Sequence, residues 1–505
     1  MKYKNPIIKG MHPDPSICRV GEDYYLVNSS FEYFPGIPIF HSKDLIHWEQ
    51  IGHCITRNSQ LKLVKGFPNC TGIYAPTIRY SNGVFYVVTT NVAYGREDEG
   101  NFFIWTKDPY GEWSDPIFLD MPGIDPSLFF DEDGKVYYMG TYGEIYLCEI
   151  DIHSGKAIGE RKNIWRGTGG NDPEGPHIYH INDWYYLFIS EGGTEFGHML
   201  TTARSKNIWG PYEPCPNNPV LTNRSTSRPI KSVGHADLVK DQRGKWWAVC
   251  LGVRSIGYPF KHNLGRETML VKVEWTKEGW PIIGNNGFVD VEMEADCLPE
   301  VLVEKKPARD CFLSPELDYV WNYLYNPIDG LVKLEQKQGG VLLYGNEHGL
   351  SEKESLAWLG RRQEEHVCTV RTKLRFDPKK DKEEAGLTIY MNNVHHYEAA
   401  LSKVDGKIVI LLRRTIGSLY KIEQMIPYEK EEVILELIAN EEFYTFGYGE
   451  TEESIKVLGQ GETAYLTTEV GGKFTGNYIA MYATGNGSPC ETPAHFSWFE
   501  LRNKE

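Results

Sequence analysis

The first 250 residues alternate short apolar runs with polar turns, and one arrangement recurs five times. A turn of Gly, Asn, Asp or Arg precedes two adjacent aromatic or bulky residues, and the five copies end at Tyr25, Tyr86, Tyr138, Tyr186 and Trp247. Helical periodicity is scarce here. A repeat of about 50 residues is typical of one small antiparallel sheet, and such sheets bury their faces by stacking in a ring. The pattern predicts a five-bladed β-propeller.

Beyond about residue 310 this repeat is lost and a different strand pattern begins. Apolar residues alternate with polar ones in several runs, which is typical of antiparallel sheets with one buried face. The runs cover residues 367–375, 385–390, 407–412, 433–438 and 474–482. We therefore expect an all-β chain with a propeller over residues 1–300 and a two-sheet β-sandwich over residues 310–505. An extended connection is expected at residues 297–307.

Composition narrows the class of protein. The net charge of −16 disfavours nucleic acid and acidic membrane surfaces as partners. No apolar run approaches the ~20 residues of a membrane span, and the first residues lack the apolar stretch of a secretory signal. The ten cysteines contain no Cys-x-x-Cys pair, which disfavours a zinc ribbon and favours buried free thiols in a reducing compartment. A cytoplasmic protein is expected.

Each repeat also carries a short motif 11–13 residues before the end of its aromatic pair. These motifs begin at Asp14-Pro-Ser, Ala75-Pro-Thr, Asp125-Pro-Ser, Glu174-Gly-Pro-His and Gly234-His-Ala-Asp. Equivalent positions in a ring of blades face one axis, so Asp14, Asp125 and Glu174 should meet at one mouth of the channel. The residue before a proline is held extended, which should fix where each acid points. Three converging carboxyl groups repel one another, which points to a metal or a reaction that needs them.

With these motifs the chain resembles glycoside hydrolase family 43, the five-bladed propeller enzymes that act on pentose sugars. The resemblance covers nearly the whole chain. It begins with Asn5-Pro-Ile-Ile-Lys-Gly-Met-His-Pro-Asp-Pro-Ser16 and continues through residues 24–31, 72–76, 123–127, 174–177, 234–237 and 265–268. The tail resembles the family's concanavalin-like sandwich, with landmarks at residues 359–363 and 482–487.

The resemblance implies hydrolysis with inversion at the anomeric carbon. Inverting enzymes hold two carboxyl groups about 6.5–9.5 Å apart, so that water fits between them and the sugar. Asp14 corresponds to the general base and Glu174 to the general acid. Asp125 corresponds to a third carboxylate, whose negative charge keeps Glu174 protonated.

Four further residues are implied as substrate-binding candidates. Arg266 either contacts the sugar in the buried subsite or forms a structural ion pair. Phe31 either lines the pocket or belongs to the core. Tyr74 stands where many relatives have Trp. A tyrosine ring can still stack on a sugar, but the fine specificity for that sugar is left open. His235 either orients the pocket, holds water or Ca²⁺ in the channel, or is merely structural; no cofactor is otherwise required.

The implied activity is that of an exo-acting pentosidase. It would release terminal β-D-xylose, α-L-arabinofuranose or both from xylo- or arabino-oligosaccharides. Relatives often self-associate, so a homo-oligomer is an open alternative to a monomer. The sandwich loop at residues 482–489 is expected to lean over the propeller mouth and shorten the cleft.

Two other readings compete with this one. Retaining fructosidases also join a propeller to a sandwich, but their first Asp lies in an Asn-Asp-Pro-Asn type of motif, whereas this chain has His12-Pro-Asp-Pro-Ser16. The Cys that follows their acid is also missing after Glu174. A non-catalytic carbohydrate-binding protein is disfavoured by the three intact acids.

Overall fold

The computed structural model describes residues 2–66, 69–295, 298–299, 301 and 306–504. Strands dominate it. The helical segments within this described part are a 3-10 helix at Thr463–Leu466 and a four-residue α-helix at Thr468–Gly471. Neither they nor any other described segment has the length and apolar character of a membrane-spanning helix.

The first part of the chain forms five antiparallel sheets, here called blades 1 to 5, which follow one another in sequence. Blade 1 has the strands Ser16–Val20, Asp23–Val27, Gly36–Ser42 and Glu49–Ile55. Blade 2 has Gly72–Ile73, Thr77–Ser81, Val84–Val92, Gly100–Thr106 and Ile117–Leu119. Blade 3 has Ile124–Phe130, Val136–Tyr142, Glu144–Ile150 and Lys162–Trp165. Blade 4 has Glu174–Ile181, Trp184–Glu191, Met199–Ser205 and Glu213–Pro214, and blade 5 has Ile230–Lys240, Trp246–Arg254, Glu267–Trp275 and Pro281–Ile283.

The blades close into a ring through their inner strands. Each inner strand contacts that of the next blade, and the inner strand of blade 5 contacts that of blade 1. Every aromatic pair predicted from the repeat lies on the strand that follows the inner strand of its blade, and every acidic or histidine motif lies on or just before the inner strand. The all-β propeller predicted from the repeat is confirmed.

A buried carboxylate joins the inner strands below the mouth of the ring. Asp237 accepts hydrogen bonds from Ser16 Oγ (2.5 Å), Arg79 Nη1 (2.7 Å) and the hydroxyl of Tyr179. These partners belong to blades 1, 2 and 4, while Asp237 belongs to blade 5. Because Asp237 is fully buried, this network fixes how the blades sit around the axis.

Two small sheets lie outside the blades, and one of them joins the two parts of the chain. Lys2–Lys4 pairs with Glu292–Glu294, and Tyr33–Phe34 pairs with Tyr323–Leu324. The predicted connection at residues 297–307 lies largely outside the described residues.

The second part of the chain is a sandwich of two antiparallel sheets. One contains Arg309–Asp310, Val332–Leu334, Val341–Leu343, Cys368–Arg375, Glu432–Ala439, Phe443–Gly449, Lys456–Glu462 and Ala494–Asn503. The other, here called the six-stranded sheet, contains Ala357–Arg362, Glu384–Asn392, His395–Val404, Lys407–Ile416, Leu419–Pro427 and Tyr478–Thr484. The predicted sandwich is confirmed, but the run expected at 474–482 becomes a strand only at Tyr478.

A continuous aromatic core joins the two parts. Tyr33 of the propeller stacks on Tyr478 of the sandwich with ring centroids 3.9 Å apart, and Trp358 packs against both rings. Arg362 Nε donates a hydrogen bond to the carbonyl oxygen of Met11 (2.7 Å). This packing places the segment before Tyr478 against the mouth of the ring.

Candidate active site

The mouth of the ring contains a cavity of about 420 Å³. Its walls include all seven residues predicted as site residues, namely Asp14, Phe31, Tyr74, Asp125, Glu174, His235 and Arg266. The three acids therefore come from blades 1, 3 and 4 to one place, although their chemical roles stay predictions.

The backbone at the acids differs from the expected extended form. Asp14 and Asp125 have φ of 53°, and His235 has φ of 49°, so all three lie in the left-handed region. Such positions are strained for residues with a side chain and persist where surrounding contacts hold them. In blade 4 the left-handed position is Gly175 (φ 60°), where a Cβ would lie 3.0 Å from the His235 ring. Glu174 thus stands one residue ahead of Asp14 and Asp125 rather than at their equivalent.

Asp14 is held as a carboxylate. Arg266 Nη1 donates to its Oδ1 (2.5 Å), and Ser29 Oγ donates to its Oδ2 (2.5 Å). The Nδ1 atom of His235 lies 3.9 Å from Oδ1. Burial opposes ionisation, but the interactions of Asp14 with Arg266 and His235 and the hydrogen bond from Ser29 outweigh it and lower the pKa of Asp14.

The other two acids are shifted in the opposite direction. Burial, followed by the negative charges of Asp125 and Asp14, raises the pKa of Glu174 well above its usual range. Burial also raises the pKa of Asp125 to about 6, although His235 and Arg266 oppose the shift. The site therefore favours the ionised form of Asp14 and the neutral form of Glu174.

Three aromatic rings form one wall of the cavity. Phe474, from the segment that precedes strand Tyr478–Thr484, stacks on Phe31 with centroids 6.1 Å apart and meets Tyr74 edge to face at 6.0 Å. The guanidinium of Arg266 lies 5.7 Å from the Phe31 ring centroid and 5.6 Å from that of Phe474. An apolar wall beside polar acids suits a ligand with both C–H faces and hydroxyl groups.

Cys70 fixes this wall from behind. Its carbonyl oxygen accepts a hydrogen bond from the Tyr74 hydroxyl (2.8 Å), and its Sγ accepts one from the backbone N–H of Phe474 (3.3 Å). One buried residue thus positions an aromatic ring from each domain.

His235 lies between the acids, with its backbone N–H donating to Ser190 Oγ (2.5 Å). Within the described residues, no group of three or more His, Cys, Asp or Glu side chains is arranged to hold a metal ion. Ca²⁺ usually takes 6–8 oxygen ligands, and the carboxylate nearest His235, that of Asp14, is already engaged. Ca²⁺ beside His235 stays a prediction.

Sequence reasoning missed several residues of the cavity. Its walls also include Asn171, Asp172, the segment 192–195 and Phe474. The sandwich contribution was predicted at the wrong place: in loop 482–489, Gly485 N–H donates to Asn346 O, and Asn486 lines a separate cavity. No local signal at Phe474 marks it as a site residue, because its role depends on the packing of one domain on the other.

Family comparisons agree with this architecture. The family model "Glycosyl hydrolases family 43" matches residues 3–281, and the model "Beta xylosidase C-terminal Concanavalin A-like domain" matches residues 309–502.

Individual relatives match along nearly their whole length. The chain is similar to the non-reducing end α-L-arabinofuranosidase BoGH43B of Bacteroides ovatus, with 41% identity over 506 residues that cover 99% of this chain and 94% of the relative. It is similar to a xylosidase/arabinosidase of Butyrivibrio fibrisolvens, with 39% identity over 521 residues and 98% of each chain covered. The crystal structure of xylan β-1,4-xylosidase from Bacillus halodurans C-125 superposes with a TM-score of 0.94 and 35% identity, covering 99% of this chain and 100% of that one. The chain therefore belongs to glycoside hydrolase family 43 and is an inverting glycoside hydrolase.

Proposed function

We propose that the protein is an exo-acting pentosidase that releases terminal β-D-xylose, α-L-arabinofuranose or both from short oligosaccharides. Asp14 acts as the general base, Glu174 as the general acid, and Asp125 keeps Glu174 protonated. The names of its relatives, which include xylosidases and an arabinofuranosidase, support these two sugars.

One observation carries the proposal: the cavity pushes the pKa values of its carboxyl groups apart. Asp14 is stabilised as a carboxylate by Arg266 and Ser29, while Glu174 is stabilised as the neutral acid by burial and by the neighbouring charges. Inverting hydrolysis requires this division between base and acid.

The reaction follows from the two protonation states. Asp14 removes a proton from a water molecule as the water oxygen bonds to the anomeric carbon. The bond from that carbon to the leaving oxygen breaks, and Glu174 gives its proton to the leaving oxygen. Asp14 ends protonated and Glu174 ionised, and exchange with solvent restores both.

The aromatic wall supports exo action on short chains. Phe474 belongs to the sandwich and stacks against Phe31 at the mouth of the propeller, which closes one side of the cavity. A closed side leaves room for a chain end but disfavours a long chain that passes through.

We also propose that the protein acts in the cytoplasm. The nine cysteines in the described part of the chain are all free, and seven of them are buried. Free thiols are typical of a reducing compartment. In the cytoplasm the enzyme would meet imported oligosaccharides rather than intact polysaccharide.

The test is a panel of 4-nitrophenyl pentosides and xylo- and arabino-oligosaccharides, assayed with wild type and Glu174→Gln. Loss of the general acid should lower kcat by about 10²–10⁴-fold on oligosaccharides, and much less on 4-nitrophenyl glycosides, whose leaving group needs no proton. Glu195→Gln, at another acid that lines the cavity, is the matched control and should lack this dependence on leaving group.

Product stereochemistry completes the test. Proton NMR of the first product should show the inverted anomer. Retention, as in fructosidases, would reject Asp14 as a general base. No turnover on any pentoside would favour the non-catalytic binding protein instead.

A further inference from the structure

A second cavity lies on the face of the six-stranded sheet that points away from the sandwich core, beside the part of this face that packs on the propeller. Its volume is about 360 Å³, close to that of the candidate active site. The strands Glu384–Asn392, His395–Val404 and Lys407–Ile416 form its floor, and the segment 349–352 forms one side. It shares no lining residue with the candidate active site.

Three charged side chains from neighbouring strands form a buried network in this floor. Arg413 Nη2 donates to Glu384 Oε1 (2.5 Å), and Arg413 Nε donates to Glu398 Oε1. The Tyr482 hydroxyl donates to Glu384 Oε1 (2.6 Å). The packed sandwich core lies on the opposite face of the sheet, so these charges contribute nothing to it.

The network leaves hydrogen-bond acceptors unused. Glu398 is fully buried, and its Oε2 has no hydrogen-bond partner among the described residues. His396 Nδ1 lies 3.1 Å from the carbonyl oxygen of Asn392, which only accepts, so we assign the ring proton to Nδ1 and leave Nε2 as an acceptor. Nε2 lies 3.8 Å from Glu398 Oε2, and burial lowers the pKa of His396 to about 3, so the ring is neutral. Glu398 Oε2 therefore lacks a donor, which is costly inside a protein, and the neutral Nε2 beside it cannot supply one.

Apolar side chains surround the opening above these acceptors. Strand Leu419–Pro427 has a bulge opposite Leu412 and Arg413, and this bulge brings Met425 to the same face as Tyr420 and Ile422. These three residues line the cavity, yet they are 61% (Tyr420), 37% (Ile422) and 40% (Met425) exposed. An exposed aromatic beside buried acceptors is typical of a binding surface rather than of a solvated face.

The charges around the cavity indicate the class of ligand. Lys382 and Arg413 disfavour a cation, while Glu352 and Glu384 disfavour an anion; burial raises the pKa of Glu398 to about 7, so this group adds less negative charge. A neutral ligand remains that donates several hydrogen bonds and presents an apolar face. Saccharides have these properties.

We propose that this cavity is a second, non-catalytic saccharide-binding site, for neutral oligosaccharides of the same class as the substrate. Sugar hydroxyl groups donate to Glu398 Oε2 and His396 Nε2, and the C–H face of a sugar ring packs on Tyr420. The site holds an oligosaccharide on the sandwich while the active site works on another chain end.

The experiment counts binding sites in the full-length protein. Xylotriose and arabinotriose are titrated calorimetrically into Glu174→Gln, in which hydrolysis is slow, and into the same variant carrying Tyr420→Ala. We expect two sites per chain in the parent and one after Tyr420→Ala, with the second site weakened at least about tenfold. Tyr420→Phe should retain two sites because the ring remains. Tyr465→Ala, at a partly exposed sandwich tyrosine outside the cavity, is the matched control.

Two further measurements separate this proposal from its rivals. With Glu174 intact, Tyr420→Ala should leave kcat/KM on 4-nitrophenyl pentosides unchanged. One site or none in the parent, or two sites that survive Tyr420→Ala, would overturn the proposal. The proposal would also be overturned if Tyr420→Ala changed the sedimentation coefficient but not the binding stoichiometry. The apolar side chains around the cavity would then form a contact between copies of the protein. If the catalytic proposal failed instead, no pentoside would be hydrolysed while the Tyr420-dependent site still bound sugar.

Discussion

Replacing Asp125 by Asn tests whether the third acid acts through its charge. The substitution keeps the shape of the side chain and removes its ionisation. Because the charge of Asp125 contributes to the raised pKa of Glu174, Asp125→Asn should lower that pKa. The alkaline limb of kcat/KM, where Glu174 loses its proton, should therefore move to lower pH.

The size of the effect should depend on pH in a way that the structure fixes. Burial raises the pKa of Asp125 to about 6, so this group is mostly ionised above pH 7 and mostly neutral at pH 5. The ratio of wild-type to variant kcat/KM should be largest above pH 7. It should shrink towards one at pH 5, where wild-type Asp125 is itself mostly neutral.

The assay is kcat/KM on a short oligosaccharide between pH 4.5 and 9, in steps of about half a unit. Asp172→Asn is the matched control, because Asp172 lines the same cavity but is the weakest of the named charges that act on Glu174. A wild-type to variant ratio that stays constant with pH would refute the reasoning, since the effect of Asp125 would then not follow its ionisation.

Three further outcomes follow from the same contacts. Asp237→Asn leaves the buried Arg79 without its counter-charge and should lower the free energy of unfolding by about 3–5 kcal/mol, measured in urea; a loss below about 1 kcal/mol would contradict the role of this network. Ser29→Ala removes a donor to Asp14 and raises its pKa, so the acidic limb of kcat/KM should move to higher pH, with a loss of up to about 1.5–3 kcal/mol in transition-state stabilisation; an unmoved limb would count against Asp14 as the base. Phe474→Ala removes one aromatic contact of about 0.5–1.5 kcal/mol and should raise KM about two- to tenfold with kcat nearly retained, whereas an unchanged KM would exclude the ring from substrate binding.

The fold was predictable because the repeat is a local property of the chain. Each aromatic pair lies on the strand that follows the inner strand of its blade, from Tyr25 in blade 1 to Trp247 in blade 5. Turn residues and strand length are set by neighbouring residues, so a sequence reading finds them. The sandwich was predicted from the alternation of apolar and polar residues alone, although the last predicted strand began four residues too early.

The site was predictable as far as the repeat reaches. Asp14 and Asp125 occupy equivalent positions in their blades, as the shared motif predicted, although their left-handed backbone was not expected. The offset of Glu174 by one residue depends on Gly175, whose hydrogen side chain lets the His235 ring approach. No pattern along the chain reports such a contact between blades. Phe474 was missed for a similar reason, since it is more than 400 residues from Phe31 in sequence.

The aromatic seam between Tyr33, Trp358 and Tyr478 has a consequence for how this protein can be engineered. Replacing the sandwich by one from another protein would leave the propeller half of that seam without its partner. It would also remove the aromatic ring that the sandwich contributes to the wall of the active-site cavity. Substrate preference and thermal resistance are thus inherited together, and a chimera has to carry both halves from a single parent or redesign the seam as a whole.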